Sequence, residues 1–455
     1  MRWLGVLFAA AVCIAQTVAP GVTAVPRRIV DAVNGGADTA AAPPMFEPLA
    51  AIDQRLPPWI RFSGLERLRY EGYHGVGYKA DSEDFYLLNR FRVGVMIRPV
   101  AWARVYGEAQ DAHVAWKNAP VGPPHLDAWD LRQAYVEMGS DEDGPFNLKV
   151  GRQEVNFGAG RLIGRSDWRN AGRTYDAALA SFRASRLRLT AFSLSVVVPR
   201  AHGLSHHQAG NAIHGLYGGI DNVVPHSVLE PYVFWRVSPG FRTDAGAPAK
   251  LDEKTFGARL AGLITPQFDY AVETVRQAGH TGADSIGAAL VSIVGGCKFP
   301  GVRGRPRIFA EHFFASGDGT PGDGHRSTFR QLHPTHHDRN GLADQVGWQN
   351  LREFRTGVQF AVARGLVIAG EYNDWYLANA RDALYDTSGV VVARDVTGRS
   401  GTHIGQEFDA QMSYRISRDL EIVAGVGHVV AGEFLEKTTP GRPCTYPYIG
   451  VTYFF

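Results

Sequence analysis

The chain has 455 residues, of which 45% are hydrophobic, and its net charge at neutral pH is only +2. This composition supplies ample apolar surface for a core and excludes an intrinsically disordered chain. The small net charge gives no general attraction to nucleic acid, so we expect no nucleic-acid partner. Of the 47 basic residues only seven are lysine and 40 are arginine. Arginine binds carboxylates in a bidentate manner, but a GC-rich genome would produce the same bias, so the positions of the arginines must decide its meaning.

Residues 1–24 have the features of a secretory signal peptide. Arg2 precedes an apolar run from Trp3 to Ile14, and small residues follow up to Ala24. The apolar run is too short to serve as a membrane anchor. Residues 25–57 are rich in Ala, Pro and Gly and show no regular pattern, so they are predicted to form a flexible periplasmic lead-in or a partial plug.

From residue 58 onward, apolar and polar residues alternate in blocks of about ten to thirteen residues, separated by Gly, Pro, Asp and Asn. In the first two blocks the apolar set is Ile60, Phe62, Leu68, Tyr70, Phe85, Leu87, Phe91, Val93, Val95 and Ile97, and the arginines 61, 67, 69, 90 and 92 fall on the opposite face. The blocks number roughly eighteen, which is more than a β-sandwich holds.

The connections between blocks alternate between short and long. Short ones are predicted at Arg98-Pro99, Ala184-Ser185, Thr265-Pro266, Arg364-Gly365 and residues 415–419, and the longest on that side at 295–304. Long ones are predicted at residues 71–84, 113–127, 199–212, 317–350 and 379–402. Short turns at one end and long loops at the other are typical of a bacterial outer-membrane barrel.

The chain ends in YPYIGVTYFF, an alternating strand with the aromatic Phe455 as its last residue. Such a strand resembles the signal by which the barrel-assembly machinery recognises its clients. In hydrocarbon every backbone amide needs a partner, so the sheet must close on itself. We therefore predict an all-β fold: a single antiparallel transmembrane barrel of about 18 strands over residues 58–455, in the outer membrane of a Gram-negative bacterium and in contact with its lipid.

The stretch GRQEVNFGAGRLIGRSDWRNAGRTYDAAL, residues 151–179, combines glycines, arginines and carboxylates. Its glycine spacing does not fit a dinucleotide-binding loop, and no βαβ context surrounds it. A glycosidase pair of carboxylates is disfavoured, because the surrounding arginines would keep the acids ionised. We predict a strand up to about Phe157, an external loop from Gly158 to Arg173 whose charges fold over a channel mouth, and a strand from Thr174 to Arg183. The alternative is a loop of solvated or mutually paired charges.

Two further groups of residues could bind metal. The histidines 202, 206, 207 and 333, 336, 337 are interpreted as adventitious groups in external loops. The stretch SGDGTPGDG could bind Ca²⁺ through Asp318 and Asp323, but it lacks the spacing of a calcium loop and a tight turn is favoured. We expect no cofactor, no structural metal and no enzymatic activity, since no nucleophile with a partner base is evident.

Four segments resemble the alginate export family of outer-membrane barrels. They are LRQAYVEM at 131–138, residues 151–177, SGDGTPGDGHRSTFRQLHP at 316–334 and GQEFDAQMSYRIS at 405–417. The resemblance covers the chain from about residue 55 to its end. It implies a monomeric 18-stranded porin whose arginine-rich constriction selects an acidic polysaccharide, with periplasmic export components as further partners. Members that export alginate are expected to have a sizeable periplasmic loop, whereas the short connections predicted here leave no room for one.

The predicted function is thus a pore for an anionic polysaccharide or oligosaccharide. The arginines proposed to line it are Arg61, Arg67, Arg69, Arg90, Arg92, Arg104, Arg132, Arg152, Arg169 and Arg173. The carboxylates proposed to hold them are Glu108, Glu154, Asp167, Asp269, Glu273, Glu311, Glu353, Glu407 and Asp409. Pairing of this kind keeps binding weak enough for a uronate to leave. A general or nutrient-uptake porin without polymer specificity is the alternative, and a barrel enzyme is a third.

Overall fold

The computed structural model describes residues 55–118, 121–140, 144–243, 245–337 and 339–455. The predicted signal peptide and almost all of the predicted lead-in lie outside these residues. The two regions therefore stay predictions.

The described residues form eighteen long antiparallel strands that close into one barrel. The first nine are β1 (Ile60–His74), β2 (Glu83–Val100), β3 (Ala103–Ala115), β4 (Asp127–Gly139), β5 (Phe146–Gln153), β6 (Tyr175–Ala184), β7 (Leu187–Val198), β8 (Ala212–Asp221) and β9 (Ser227–Arg242). The others are β10 (Pro248–Leu263), β11 (Phe268–Thr281), β12 (Asp284–Lys298), β13 (Arg307–Ala315), β14 (Leu351–Ala363), β15 (Leu366–Leu377), β16 (His403–Arg415), β17 (Leu420–Ala431) and β18 (Cys444–Phe454). The predicted fold is confirmed.

Small elements occur in the connections. Short strands lie at His206–His207, His325–Arg326, Ala383–Tyr385 and Val391–Arg394, a 3₁₀ turn at Val76–Tyr78 and helix α1 at Glu433–Thr438. None of the helices in the described part of the chain has the length and apolar character needed to cross a membrane.

The barrel closes between its first and last strands. β1 pairs antiparallel with β18, with Leu65 opposite Phe454 and His74 opposite Thr445. The backbone of Phe455 extends this seam through two hydrogen bonds with Gly64. A side chain at Gly64 would overlap the ring of Phe455, so the terminal aromatic residue packs where the sequence provides a glycine.

The alternation of β1 and β2 follows the predicted pattern. Arg67 and Arg90 are opposite one another in the register and are almost fully buried, whereas Leu68 and Tyr70 are exposed on the other face. Because a strand's side chains point alternately to the two faces, the exposed apolar set meets lipid and the buried set faces the interior of the barrel.

Turns at the end that carries the chain termini are short. They span residues 101–102, 140–145, 185–186, 222–226, 264–267, 299–306, 364–365 and 416–419. The turn between β2 and β3 lies at 101–102 rather than at the predicted Arg98-Pro99, since β2 continues to Val100. The opposite end carries most of the long connections, although residues 243–247 and 282–283 are short there too.

Two long connections fold into the barrel. We call residues 154–174 the constriction loop and residues 316–350 the second inner loop. A β-bridge joins them at Ile163 and His333, and Trp348 of the second inner loop is fully buried. β5 ends at Gln153, so the predicted continuation of that strand to about Phe157 is wrong: the chain leaves the sheet there and turns inward.

Candidate functional site

The constriction loop is held to β1 and β2 by three arginines that converge on one segment. Arg90 contacts both carboxylate oxygens of Asp167, at 3.0 and 3.2 Å, and Arg92 donates to Oδ1 at 3.0 Å. Arg67 donates instead to the backbone carbonyls of Asp167 and Trp168, each at 3.1 Å. The three arginines alternate along their strands, which places all of them on the same face as the loop.

A second set of contacts anchors the start of the same loop. Arg132 donates to Glu108 at 2.7 Å and also to Glu154, and Arg165 reaches Glu154 at 3.1 Å. Arg92 links the two sets because its Nε donates to Gln110 at 2.7 Å, next to Glu108 on β3.

Arg69 completes this group of charges. It pairs with Glu71, and its guanidinium lies 3.8 Å above the centre of the Trp168 ring. Tyr446 of β18 donates to the same carboxylate at 2.8 Å. The arginine is therefore fixed by a charge, a ring and the seam of the barrel.

Together these side chains form what we call the basic cluster. It comprises Arg67, Arg69, Arg90, Arg92, Arg132 and Arg165 with Glu71, Glu108, Glu154 and Asp167. Six guanidinium groups face four carboxylates, so the cluster carries a formal surplus of two positive charges.

The two carboxyl groups of the constriction loop have lowered pKa values. Burial alone would raise the pKa of Asp167, but the charges of Arg90, Arg92 and Arg67 outweigh burial and hold this pKa well below its usual range. Burial would also raise the pKa of Glu154, but the charges of Arg132 and Arg165 outweigh it and lower this pKa to about 2. Both loop carboxylates are thus fully charged at neutral pH.

The other end of the constriction loop contacts the opposite side of the barrel. Arg161 donates to Glu311 of β13 at 2.8 Å and lies 3.3 Å from Glu273 of β11. In the 18-stranded barrel, eight strands lie between β2 and β11 in either direction, so a loop that contacts both must cross the interior.

The strands that receive Arg161 carry an excess of acid, which we call the acidic wall: Glu273, Glu311, Glu353 and Glu371. Arg355 pairs with Glu371 at 2.6 Å and with Glu311 at 3.4 Å, and Trp375 donates to Glu353 at 3.0 Å. Four carboxyl groups thus meet two arginines.

The second inner loop packs between the constriction loop and β16. Glu407 accepts a hydrogen bond from the backbone of Ala343 at 2.7 Å, and Asp409 accepts one from Leu342 at 3.4 Å. Arg173 of the constriction loop donates to the carbonyls of His333 and Pro334, at 2.6 and 2.8 Å. Glu407 and Asp409, which were predicted to hold arginines, thus bind the backbone of the second inner loop instead.

The remaining predicted site residues lie apart from this centre. Arg104 pairs with Glu137 at 2.6 Å, and Asp269 pairs with Arg307 at 2.8 Å, both near the end with the short turns. Arg61 is exposed at that end and donates to the carbonyl of Pro57.

Arg152 lies on the face of β5 opposite to the buried Lys149 and Gln153. It pairs with Asp176 at 2.8 Å close to the long-loop end. The register therefore places it outside the group formed by the other arginines.

Arg169 differs from every member of the basic cluster. With the residues that the structure describes, its guanidinium forms no hydrogen bond or ion pair. Burial and the neighbouring Arg173 lower its pKa to about 10, so it stays charged at neutral pH. It is only partly buried, which leaves a cationic group available to a ligand.

Several residues of the site were not predicted from the sequence. They are Glu71, Gln110, Arg161, Arg165, Arg355 and Glu371. Alternation along β14 and β15 would have indicated Arg355 and Glu371, which share faces with Glu353 and Trp375. Nothing in the loop sequence distinguishes Arg161 from the other arginines of the loop.

The groups considered for metal binding have other contacts. Asp318 accepts the backbone N–H of Thr320 at 2.9 Å, and Asp323 accepts that of His325 at 2.8 Å. Within the described residues no three His, Cys, Asp or Glu side chains are placed to hold a metal ion. The histidines 333, 336 and 337 are not a surface group as expected, because the second inner loop carries them inside the barrel.

A closed 18-stranded sheet with an apolar outer face and inward-folded loops defines an outer-membrane β-barrel channel. Its sequence matches the model of the alginate export family over residues 59–445, so the chain belongs to that family. Membership of this family also confirms two predictions: the protein is located in the outer membrane, and it is a channel rather than an enzyme. A search of curated proteins found no match.

The fold is similar to solved porins of Pseudomonas aeruginosa. OpdK has a TM-score of 0.60 and 11% identity, with 87% of this chain and 98% of that chain covered. OccK3 (OpdO) has a TM-score of 0.58 and 11% identity, with 90% and 99% covered. OccK2 (OpdF), solved in complex with glucuronate, has a TM-score of 0.58 and 11% identity, with 87% and 96% covered. At this identity the likeness establishes the fold alone.

Proposed function

We propose that this barrel passes anionic saccharides that carry carboxylates, such as an acidic polysaccharide or its oligosaccharides, past the basic cluster. The surplus of two positive charges in that cluster carries the proposal. Channels select ions through rings of opposite charge that bind weakly enough to release them. Because most of these arginines are held by carboxylates, they would attract an anion without trapping it.

Arg169 is the proposed first contact of a substrate carboxylate. Its guanidinium forms no hydrogen bond or ion pair with any described residue, yet the backbone carbonyl of Arg169 is held by Arg67 and Arg90. A fixed backbone with an unpaired guanidinium is a preorganised anion contact. The glucuronate bound by the structural neighbour OccK2 and the vanillate bound by OpdK are carboxylates as well.

The test is current through single barrels in planar bilayers, with a uronate oligosaccharide added. We expect the oligosaccharide to block the wild-type current and Arg169→Gln to weaken the block about tenfold, the effect of losing one charge-assisted contact. Arg152→Gln is the matched control, because it removes an arginine from the other face of the sheet, and it should leave the block unchanged. Cation selectivity of the wild type, or no block at all, would refute the proposal.

A second candidate, a porin for small anions, is favoured by how the inner loops fill the barrel. Trp348 and Trp375 are fully inaccessible, and Glu311 and Glu353 are buried beneath the loops. The loops that bury these side chains occupy interior space through which a long polymer would have to pass. If glucuronate by itself blocks the current, and longer uronate chains up to a long polyuronate block it no better, the small-anion porin is favoured.

A further inference from the structure

The outer wall of the barrel carries a shallow groove of about 760 Å³ across β7 to β12. Its rims are outward-facing apolar side chains, among them Leu187, Leu216 and Phe256, which are 43%, 44% and 50% exposed. Small residues, Gly218 and Ala258, form its floor. Since the barrel lies in the outer membrane, the medium that fills this groove is lipid.

One charged side chain lines the groove. Arg276 on β11 points outward, is exposed, and forms no hydrogen bond or ion pair with any residue that the structure describes. An arginine on the hydrocarbon-facing side of a barrel is costly unless it lies near the interface or meets an anion. Among the residues that the structure describes, no carboxylate pairs with Arg276.

The height of Arg276 in the membrane follows from the strand geometry. It lies eight residues beyond Phe268, where β11 begins at the end with the short turns. At about 3.3 Å per residue and a tilt of about 40°, this separation is roughly 20 Å along the membrane normal, within an apolar band about 25 Å tall. Arg276 is therefore level with the outer leaflet, close to its headgroups. Lys254, paired with Asp252, and Trp235 lie farther toward the outer rim of the same sector.

The groove descends from Arg276 toward the periplasmic end. In the register Arg276 is opposite Phe256, Phe256 opposite Val233, and Val233 opposite Leu216. Because the strands are staggered, each row of paired residues across the sheet lies closer to the periplasmic end at β7 than at β11. Leu187, the first residue of β7, is therefore in the same row as residues well inside β11. Four strand spacings of about 4.8 Å give a path of about 19 Å, the scale of an acyl chain.

We propose that this groove is a specific site for a phosphorylated acyl lipid of the outer leaflet, with the phosphate on Arg276 and one acyl chain lying along the groove. The unpaired guanidinium supplies the charge complementarity, and the small residues of the floor make room for the chain. This site is independent of the channel function.

The test is native mass spectrometry of the full barrel in nanodiscs that contain lipid A, with diacylglycerol as the uncharged probe. The wild type should retain lipid A and not diacylglycerol, and Arg276→Leu should reduce retention at least tenfold. Arg352→Leu is the matched control: it removes another outward-facing arginine, whose guanidinium lies over Tyr376, and should change retention less than twofold.

A second variant keeps the test decisive if Arg276→Leu assembles poorly. Ala258→Phe fills the floor without touching Arg276 and should reduce retention about fivefold. Retention by both groove variants equal to the wild type, or equal retention of diacylglycerol, would overturn the proposal. Folding of each variant is checked by its gel mobility before and after heating.

Discussion

The two sides of the barrel interior are built from the same residue types in opposite proportions. The basic cluster, on β1–β4 and the constriction loop, combines six arginines with four carboxylates. The acidic wall on β11–β15 instead places four carboxyl groups against two arginines, Arg355 and Arg161 of the constriction loop. The constriction loop contacts both, since Asp167 faces the basic side and Arg161 the acidic side. Charge is therefore separated across the channel, and a near-neutral chain can still present a transverse field to a permeating ion.

The largest expected effect comes from removing the carboxylate that joins the loop to the basic cluster. Asp167→Asn leaves Arg67, Arg90 and Arg92 close together with one counter-charge fewer, and breaking a buried pair in this way costs about 3 kcal/mol. We expect a lower urea midpoint and a larger, noisier single-channel conductance as the constriction loop detaches. Asp176→Asn, which breaks a more exposed pair on the other face, is the control and should do neither. An unchanged conductance of Asp167→Asn would show that the loop is held by other contacts.

The two inner loops should respond to acid in different pH windows. Burial and then the charges of nearby arginines lower the pKa values of His333 and His336 well below their usual range, so these histidines are neutral in the packed loop. Above the pKa of an exposed histidine, about 6.5, these histidines contribute fully to the stability of the packed loop. As the pH falls below that value, this contribution is lost by up to about 1.4 kcal/mol per histidine and pH unit.

Asp167 and Glu154 also have lowered pKa values, but their contribution is complete above the ordinary carboxyl pKa of about 4 and is lost only below it. Hydrogen exchange should therefore rise in the second inner loop between pH 6.5 and 5, while the constriction loop remains protected until below pH 4. Simultaneous release of the two loops would contradict this separation.

Neutralising one charge on each side should shift selectivity in opposite directions. Glu311→Gln removes an acid that is shared by Arg161 and Arg355, and we expect the anion-to-cation permeability ratio to rise about twofold. Arg132→Gln should lower that ratio by a similar factor. Reversal potentials in a salt gradient measure both, and shifts of the same sign would rule out the proposed charge separation.

The smallest expected effect concerns an arginine that sequence alone grouped with the others. Arg152 lies on the outward face of β5 in its pair with Asp176, so Arg152→Gln should change the permeability ratio by less than about a fifth. A change as large as that of Arg132→Gln would mean that this face also contacts the permeating ion.

Alternation predicted the barrel well where strands are long and regular. In β2, Arg90 and Arg92 alternate with apolar Phe91 and Val93, so both the strand and its inward face follow from the sequence. The alternation fails in β5, where Gly151 separates Val150 from Arg152 and the facing of a short strand cannot be read. The sequence indicated that the charges of the constriction loop fold over the channel mouth, but it could not predict their contacts. The partners of Asp167 and Arg161 are distant in sequence and depend on the path of the loop through a closed barrel.

The reversal potential of the wild-type barrel in a potassium chloride gradient tests the central claim most directly. An anion-selective potential, reduced by Arg169→Gln and by Arg132→Gln but not by Arg152→Gln, is the result that the charge separation predicts. A cation-selective potential, or one indifferent to all three substitutions, would contradict it.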